Sequence, residues 1–325
     1  MAIIHQSQLK AFISYLQAKG YSQKSRLNYI RPYIKFRTWI AEQGLTIEEL
    51  RYNDMMDYVQ QLQSTNVKSI TVQRYINILK IIFNYWVDTK VVEHNPIQQF
   101  NLKGIKRQTT YNVLSAEELE QVYKEFNQEI DTKKQYSQRM IHEQNLCLQR
   151  DKVILGLLIY QGLKAEELGV LELQHLNLQQ GTITIPEGRR RNERTLKLES
   201  HQVIGFYEYI NNTRKELMTC KYKRATEYKR ELPENIINLF ISHDTGLELN
   251  NLLFKLGKQL QTQYPKVRGL KHIRASVIVH WLNQYNKRKV QVMAGHRYIS
   301  STEKYETSNM ADLQEDFNNF FPVLD

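Results

Sequence analysis

Apolar positions in the first hundred residues recur at helical spacing. Leu9, Phe12, Ile13 and Leu16 fall at i, i+3, i+4 and i+7, with Ser7 placed to cap the helix and Gly20 to close it. Leu27, Ile30, Ile34 and Trp39 continue the pattern up to Gly44, and Pro32 inside it predicts a kink or a split. Asn53 is the expected cap of a third helix with Met56, Val59 and Leu62 inward. Ser69 is the expected cap of a fourth, with Val72, Ile76, Leu79, Phe83 and Trp86 inward, stopped by Asn95-Pro96. Four helices with short connections predict a compact bundle.

Between Asn101 and Asn112 the periodicity lapses around Lys103, Lys106 and Arg107. Such a basic linker either follows a phosphate backbone or is simply solvated. It sets the expected division into a helical DNA-binding domain over 1–104 and a catalytic domain over 105–325. Ser115 with Glu118 forms a capping box before Leu119 and Val122. An apolar helix through Val153, Ile154, Leu157, Leu158 and Tyr160 then ends at Gln161-Gly162-Leu163. Residues 181–186 alternate with β-branched side chains, and 194–198 supply a return strand, so a hairpin with Glu187 to Glu193 at its tip is predicted. Beyond it the pattern reads as helical to the end. The fold class is therefore mainly α: an α-rich domain with one small antiparallel sheet, preceded by a helical domain.

Composition narrows the function. Of 325 residues 41% are hydrophobic, enough for two globular cores. Two cysteines, Cys147 and Cys220, exclude a disulfide-dense scaffold and a cysteine-rich zinc module, and read as reduced thiols. The start lacks the pattern of a secretory signal, and no apolar run reaches the ~18 residues of a membrane span, so a cytoplasmic protein without a membrane partner is expected. The net charge is +11. Residues 1–104 carry 13 basic and 7 acidic side chains and the remainder 32 and 27, so both parts suit a polyanion.

Phosphate loops, dinucleotide fingerprints, hydrolase elbows and His-Glu-x-x-His are missing from the sequence. No convincing set of Asp and Glu converges for a metal, so neither metal nor cofactor is expected. A metal-free enzyme acting on phosphodiesters must supply its own cations. The last hundred residues offer them. Lys271-His272-Ile273-Arg274 opens a helix through Ala275, Ile278 and Trp281; His296 follows Arg274 by 22 residues, and Tyr305 follows His296 by nine. A phenol attacks phosphorus when cations stabilise the charge that develops, a histidine can hydrogen-bond a non-bridging oxygen, and a guanidinium fork fits two phosphate oxygens.

Five motifs in this order resemble those of the tyrosine recombinases, the phage-integrase and Xer-type family. They are Gly162-Leu163-Lys164-Ala165-Glu166-Glu167-Leu168, the hairpin tip Gly188-Arg189-Arg190-Arg191-Asn192-Glu193-Arg194, Lys271-His272-Ile273-Arg274, Ala294-Gly295-His296, and Tyr305. The resemblance spans nearly the whole chain. It implies a SAM-like helical core-binding domain and a catalytic domain of the DNA breaking-rejoining fold, closing as a clamp on double-stranded DNA. It also implies Tyr305 as nucleophile, a 3′-phosphotyrosyl intermediate, and Glu167 as a buried acid holding the site's cations. Three positions depart from the family pattern. Lys164 replaces an arginine, Arg189 replaces the hairpin lysine that acts as general acid, and Lys271 replaces a histidine.

The catalytic set expected on this basis is Tyr305, Arg274, His296, Lys164, Lys271 and Arg189, with Lys271 or Lys164 donating the proton and one of Arg189, Arg190 or Arg191 clamping phosphate. Arg190, Arg191, Arg194, Lys103, Lys106, Arg107, Lys24, Arg26, Lys68 and Arg74 are the expected DNA contacts. Strand exchange implies a homotetramer on two DNA sites formed from free monomers. The apolar residues Leu313, Phe317, Phe320, Phe321, Val323 and Leu324 are suited to pack on a neighbour or on their own domain, and a nucleoid location accompanies DNA binding. Four alternatives are a catalytically impaired DNA-binding relative, a hairpin-forming telomere resolvase, a type IB topoisomerase and, more distantly, an RNA-binding protein.

Overall fold

The computed structural model describes residues 6–65, 67–102, 113–126, 137–189, 191–246 and 248–306. The chain divides into two compact units, Met1–Gln108 and Thr109–Asp325. Unit 1 is built from helices α1 (Gln6–Ala18), α2 (Gln23–Glu42), α3 (Tyr52–Ser64) and α4 (Ser69–Asp88). Helix α4 buries Val72, Ile76, Leu79, Phe83 and Trp86, the stripe its periodicity predicts.

Helix α2 departs from expectation twice. It runs unbroken through Pro32, and its buried face is Pro32, Tyr33, Phe36, Trp39 and Ile40, while Leu27 is 61% exposed. The aromatic side chains carry the larger apolar area, so they set the inward face. The Phe36 ring lies 4.9 Å from Tyr58, 5.9 Å from Phe83 and 6.2 Å from Trp86, centroid to centroid. That packing offsets the backbone hydrogen bond that Pro32 cannot donate. The caps also differ. Ser22 caps α2, and Arg51 rather than Asn53 precedes α3, its backbone N–H donating to Asp54 at 2.7 Å.

Unit 2 comprises α5 (Ala116–Glu125), α6 (Gln138–Ile159), α7 (Ala165–Leu168), β1 (Leu176–Asn177), β2 (Thr182–Ile185), β3 (Arg194–Lys197) and α8 (Ser200–Glu208). A π turn joins α8 to α9 (Arg214–Glu227); α10 (Asn250–Gln263), α11 (Leu270–Gln284), α12 (Lys287–Met293) and α13 (Ser300–Glu303) follow. The Ser115 capping box forms, with Glu118 N–H donating to Ser115 Oγ at 3.1 Å and Ser115 N–H to Glu118 at 2.9 Å. Buried Ile154, Leu155, Leu157 and Leu158 place α6 in the core. The hairpin pairs Ile183 with Leu196 and Ile185 with Arg194, and β1 adds an antiparallel third strand on β2. Two residues of β1 offer no alternation to read.

The chain is not helical throughout after the hairpin. Residues 228–246 form no helix, although Ile236, Leu239, Phe240 and Ile241 are buried. A buried irregular backbone needs partners for its carbonyls, and distant cations supply them. Arg214 donates to the carbonyls of Ile236 (2.6 Å) and Asn238 (2.7 Å), and Arg150 donates to that of Ile241 (3.0 Å). The buried ammonium of Lys221 donates to the carbonyls of Ser242, Asp244 and Gly246. No local periodicity encodes contacts of this range.

Phe36→Ala empties the centre of the unit 1 aromatic cluster. Urea unfolding should show a loss of about 3–5 kcal/mol; a loss below about 1 kcal/mol would contradict this packing.

Candidate active site

The site grows from one buried carboxylate. Glu167 lies in the short helix α7 and is 0% exposed. Its two oxygens accept from the Arg194 guanidinium, Oε1 from Nη1 at 3.0 Å and Oε2 from Nη2 at 2.9 Å. Oε2 also accepts from the Lys164 backbone N–H at 2.8 Å and stands 4.0 Å from Arg274 Nη1. Burial alone would raise the Glu167 pKa; the hydrogen bond and charge of Arg194, with Arg274 behind it, outweigh that and hold it below the usual carboxylate range.

Arg274 projects from α11 and is 6% exposed. Its guanidinium donates to the Gly162 carbonyl, to the Ala294 carbonyl at 2.8 Å and to His296 Nε2 at 3.2 Å. Two glycines make these approaches possible. Gly162 has φ 56°, and a Cβ there would stand 3.1 Å from both Trp281 and Val277. Gly295 has φ 63°, and its Cβ would stand 2.8 Å from Arg194 Cζ.

A guanidinium only donates, so Nε2 of His296 is the acceptor and its proton sits on Nδ1, 2.9 Å from Thr302 Oγ1. Burial first, then Arg274, Lys164 and Arg194, push the His296 pKa down to about 3, so the ring is neutral near pH 7. This tautomer changes the expected role: in the free chain the Nε2 lone pair is held by Arg274, and the ring presents no N–H on that side to whatever enters. The Tyr305 ring lies parallel to the imidazole at 6.0 Å and 7°, within electrostatic reach of Arg274. Thr302 joins the two residues, because its carbonyl accepts the Tyr305 N–H at 3.0 Å.

In front of these groups opens a cavity of about 600 Å³ lined by Lys164, Arg189, His296, Arg297, Lys304 and Tyr305, among others, with no carboxylate in its lining. Lys164 is half-buried, and desolvation, followed by the Arg274 charge, lowers its pKa from the ordinary lysine value. One buried carboxylate thus stands against two buried guanidiniums, with further cations at the rim. The arrangement is a receptor for an anion beside a phenol.

The structure brings Tyr305, Arg274, His296, Lys164 and Arg189 together. Lys271 is exposed one turn before Arg274 and does not line the cavity. The neighbouring His272 is buried elsewhere, its Nδ1 accepting from the Arg268 N–H. Arg194 is corrected from a DNA contact to a framework residue: it is 5% exposed, and its guanidinium is spent on Glu167 and the Met293 carbonyl. Arg191 donates to the Pro186 carbonyl at 2.9 Å and closes the hairpin tip. In unit 1, Lys24, Lys68 and Arg74 are exposed, while Arg26 is half-buried and donates to Gln17. Arg190, Lys103, Lys106, Arg107 and the apolar tail from Leu313 to Leu324 lie outside the described residues. Among the described residues, no group of three or more His, Cys, Asp or Glu is placed to hold a metal ion, and no helix is long and apolar enough to cross a membrane.

Sequence reasoning missed Arg297, Thr302, the Arg194 pairing and the demand for glycine at 295. Only the spacing of Thr302 between His296 and Tyr305 offered a signal.

Residues 112–312 match the model of the phage integrase family, and residues 9–93 match that of the phage integrase N-terminal SAM-like domain. The chain is 24% identical over 320 residues to tyrosine recombinase XerC of Bacillus subtilis (strain 168), covering 97% of this chain and 96% of that protein. It is 25% identical to XerC of Oceanobacillus iheyensis, covering 97% and 95%. Among solved structures, the fold is similar to XerH site-specific recombinase bound to palindromic difH substrate, with TM-score 0.69, 17% identity and coverage of 96% and 84%. It is also similar to the Tn1549 transposon integrase in complex with a circular intermediate DNA, with TM-score 0.61, 15% identity and coverage of 94% and 98%.

Glu167→Gln leaves Arg194 and Arg274 buried without their counter-ion and should cost about 3–5 kcal/mol in urea unfolding. Adding Arg194→Met should recover part of that loss. A double variant no more stable than Glu167→Gln alone would contradict the pairing.

Proposed function

The chain belongs to the phage integrase family and is a site-specific tyrosine recombinase, a DNA strand transferase, and from that premise we propose how its residues divide the reaction. Tyr305 Oη attacks a scissile phosphate of duplex DNA. The O–P bond forms as the bond from phosphorus to the 5′ oxygen breaks, leaving a 3′-phosphotyrosyl link and a 5′-hydroxyl. Arg274 and Arg189 face the charge that develops on the non-bridging oxygens. The observation that carries the reading is the parallel seating of Tyr305 on a neutral His296 inside a cavity whose charged lining residues are all cations.

Each proton has a place. The phenol proton passes to Nε2 of His296 as the Arg274 N–H that Nε2 accepts in the free chain turns to the phosphate. The affinity of His296 for a proton is low in the free chain because the ring is buried and three cations surround it, and it rises when an anionic phosphate offsets those charges. The leaving 5′ oxygen takes a proton from the Lys164 ammonium, whose lowered pKa makes it a better acid than an ordinary lysine. A guanidinium such as that of Arg189 gives up a proton too reluctantly to serve as the acid, and Lys271 stands outside the cavity lining. Attack by a 5′-hydroxyl of a second duplex reverses these steps, so a homotetramer on two sites is the exchanging assembly. Unit 1 supplies phosphate contacts, including Lys24, Lys68 and Arg74.

Nicked suicide duplexes tiled across the DNA flanking the protein's own coding sequence test this reading. The wild type should give an SDS-resistant, protease-sensitive band that Tyr305→Phe does not give. Lys164→Met should slow its formation by about 10²-fold or more and should regain the rate when sulfur replaces the 5′ bridging oxygen, because a thiolate leaves unprotonated. No band from the wild type points to a DNA-binding relative without strand transfer; no gain with sulfur removes Lys164 as the acid.

A further inference from the structure

The cavity has an unassigned guanidinium. Binding both non-bridging oxygens of a phosphate calls for a fork of parallel N–H donors, which lysine ammonium groups lack. Arg274 has committed three of its five N–H groups to Gly162, Ala294 and His296, and is 6% exposed. Arg194 is closed off by Glu167 and the Met293 carbonyl. Lys164 and Lys304 are point charges. Arg189 and Arg297 are the arginines left in the lining.

Arg297 is anchored. Its Nη1 donates to the Arg189 carbonyl at 3.2 Å, and its backbone follows His296, which is fixed by hydrogen bonds from Arg274 and to Thr302. It is exposed on the cavity side, with the rest of its donor edge available. The Arg189 side chain makes no hydrogen bond or ion pair among the described residues, so ordering it on a ligand costs more.

We propose that Arg297 is a catalytic residue of this chain: its guanidinium, braced on the hairpin tip through Arg189, takes a non-bridging oxygen of the scissile phosphate and supplies the second fork that Lys164 cannot. The inference rests on the reading of Tyr305 as nucleophile. It also gives the hairpin contact a purpose, since the N–H that braces the tip sets the reach of the others.

The test compares wild type, Arg297→Ala and Arg297→Lys on the same suicide duplexes, with an ordinary phosphodiester or a charge-neutral methylphosphonate at the scissile position. On the phosphodiester, Arg297→Ala should form adduct about 100-fold more slowly, with DNA affinity by mobility shift within about threefold of wild type. Arg297→Lys should regain only part of the rate, because an ammonium is a point charge. On the methylphosphonate, wild type and Arg297→Ala should react alike, and free guanidinium should restore at least part of the alanine variant's rate on the phosphodiester. A wild-type rate in Arg297→Ala overturns the proposal. So does an equal loss on both substrates without guanidinium rescue, which would leave Arg297 as a brace for the hairpin alone. Absence of adduct from the wild type overturns the nucleophile reading beneath it, and this inference with it.

Discussion

The site depends on a carboxylate that has no access to water. Glu167 is fully buried, and its two oxygens hold Arg194 from the hairpin, the backbone of Lys164 at the start of α7 and, by charge, Arg274 from α11. Three segments distant in sequence are tied to one group. Burying guanidiniums is tolerable only where an anion and well-placed acceptors repay the lost hydration. The carbonyls of Gly162, Met293 and Ala294 are those acceptors. The backbone geometry follows from the same demand, since the turn at Gly295 leaves no room for a Cβ against Arg194.

From that framework the electrostatics follow. One negative charge among several positive ones leaves the cavity cationic, so a phosphodiester finds its counter-charges already oriented. Burial and the same cations keep His296 neutral, and Arg274, which can only donate to Nε2, fixes which nitrogen bears its proton. Orientation, charge and tautomer are all set before a ligand arrives, which is the condition under which electrostatic stabilisation is strongest.

Much of this was legible in the sequence. Helix α4, the Ser115 capping box and the hairpin each declared themselves through local periodicity or a short cap motif. The order of Lys164, the hairpin arginines, Arg274, His296 and Tyr305 pointed to the chemistry. What stayed hidden was non-local. The inward face of α2 follows its aromatic rings, not its aliphatic positions. Residues 228–246 look helical or extended by composition, but cations on α6 and α9 satisfy carbonyls among them and allow an irregular path. Arg194 sits in a run of cations, where its charge resembles that of its neighbours, and only burial against Glu167 distinguishes it. Arg297 carries no motif, and its role depends on a cavity that folding creates.

The central claim is that the phenol of Tyr305 becomes bonded to DNA phosphorus. The most direct measurement is mass spectrometry of the covalent complex after digestion with trypsin and nuclease. The account predicts a nucleotide 3′-phosphate on Tyr305 and on no other residue. Nucleotide mass on Tyr298, or on any side chain other than Tyr305, would contradict it.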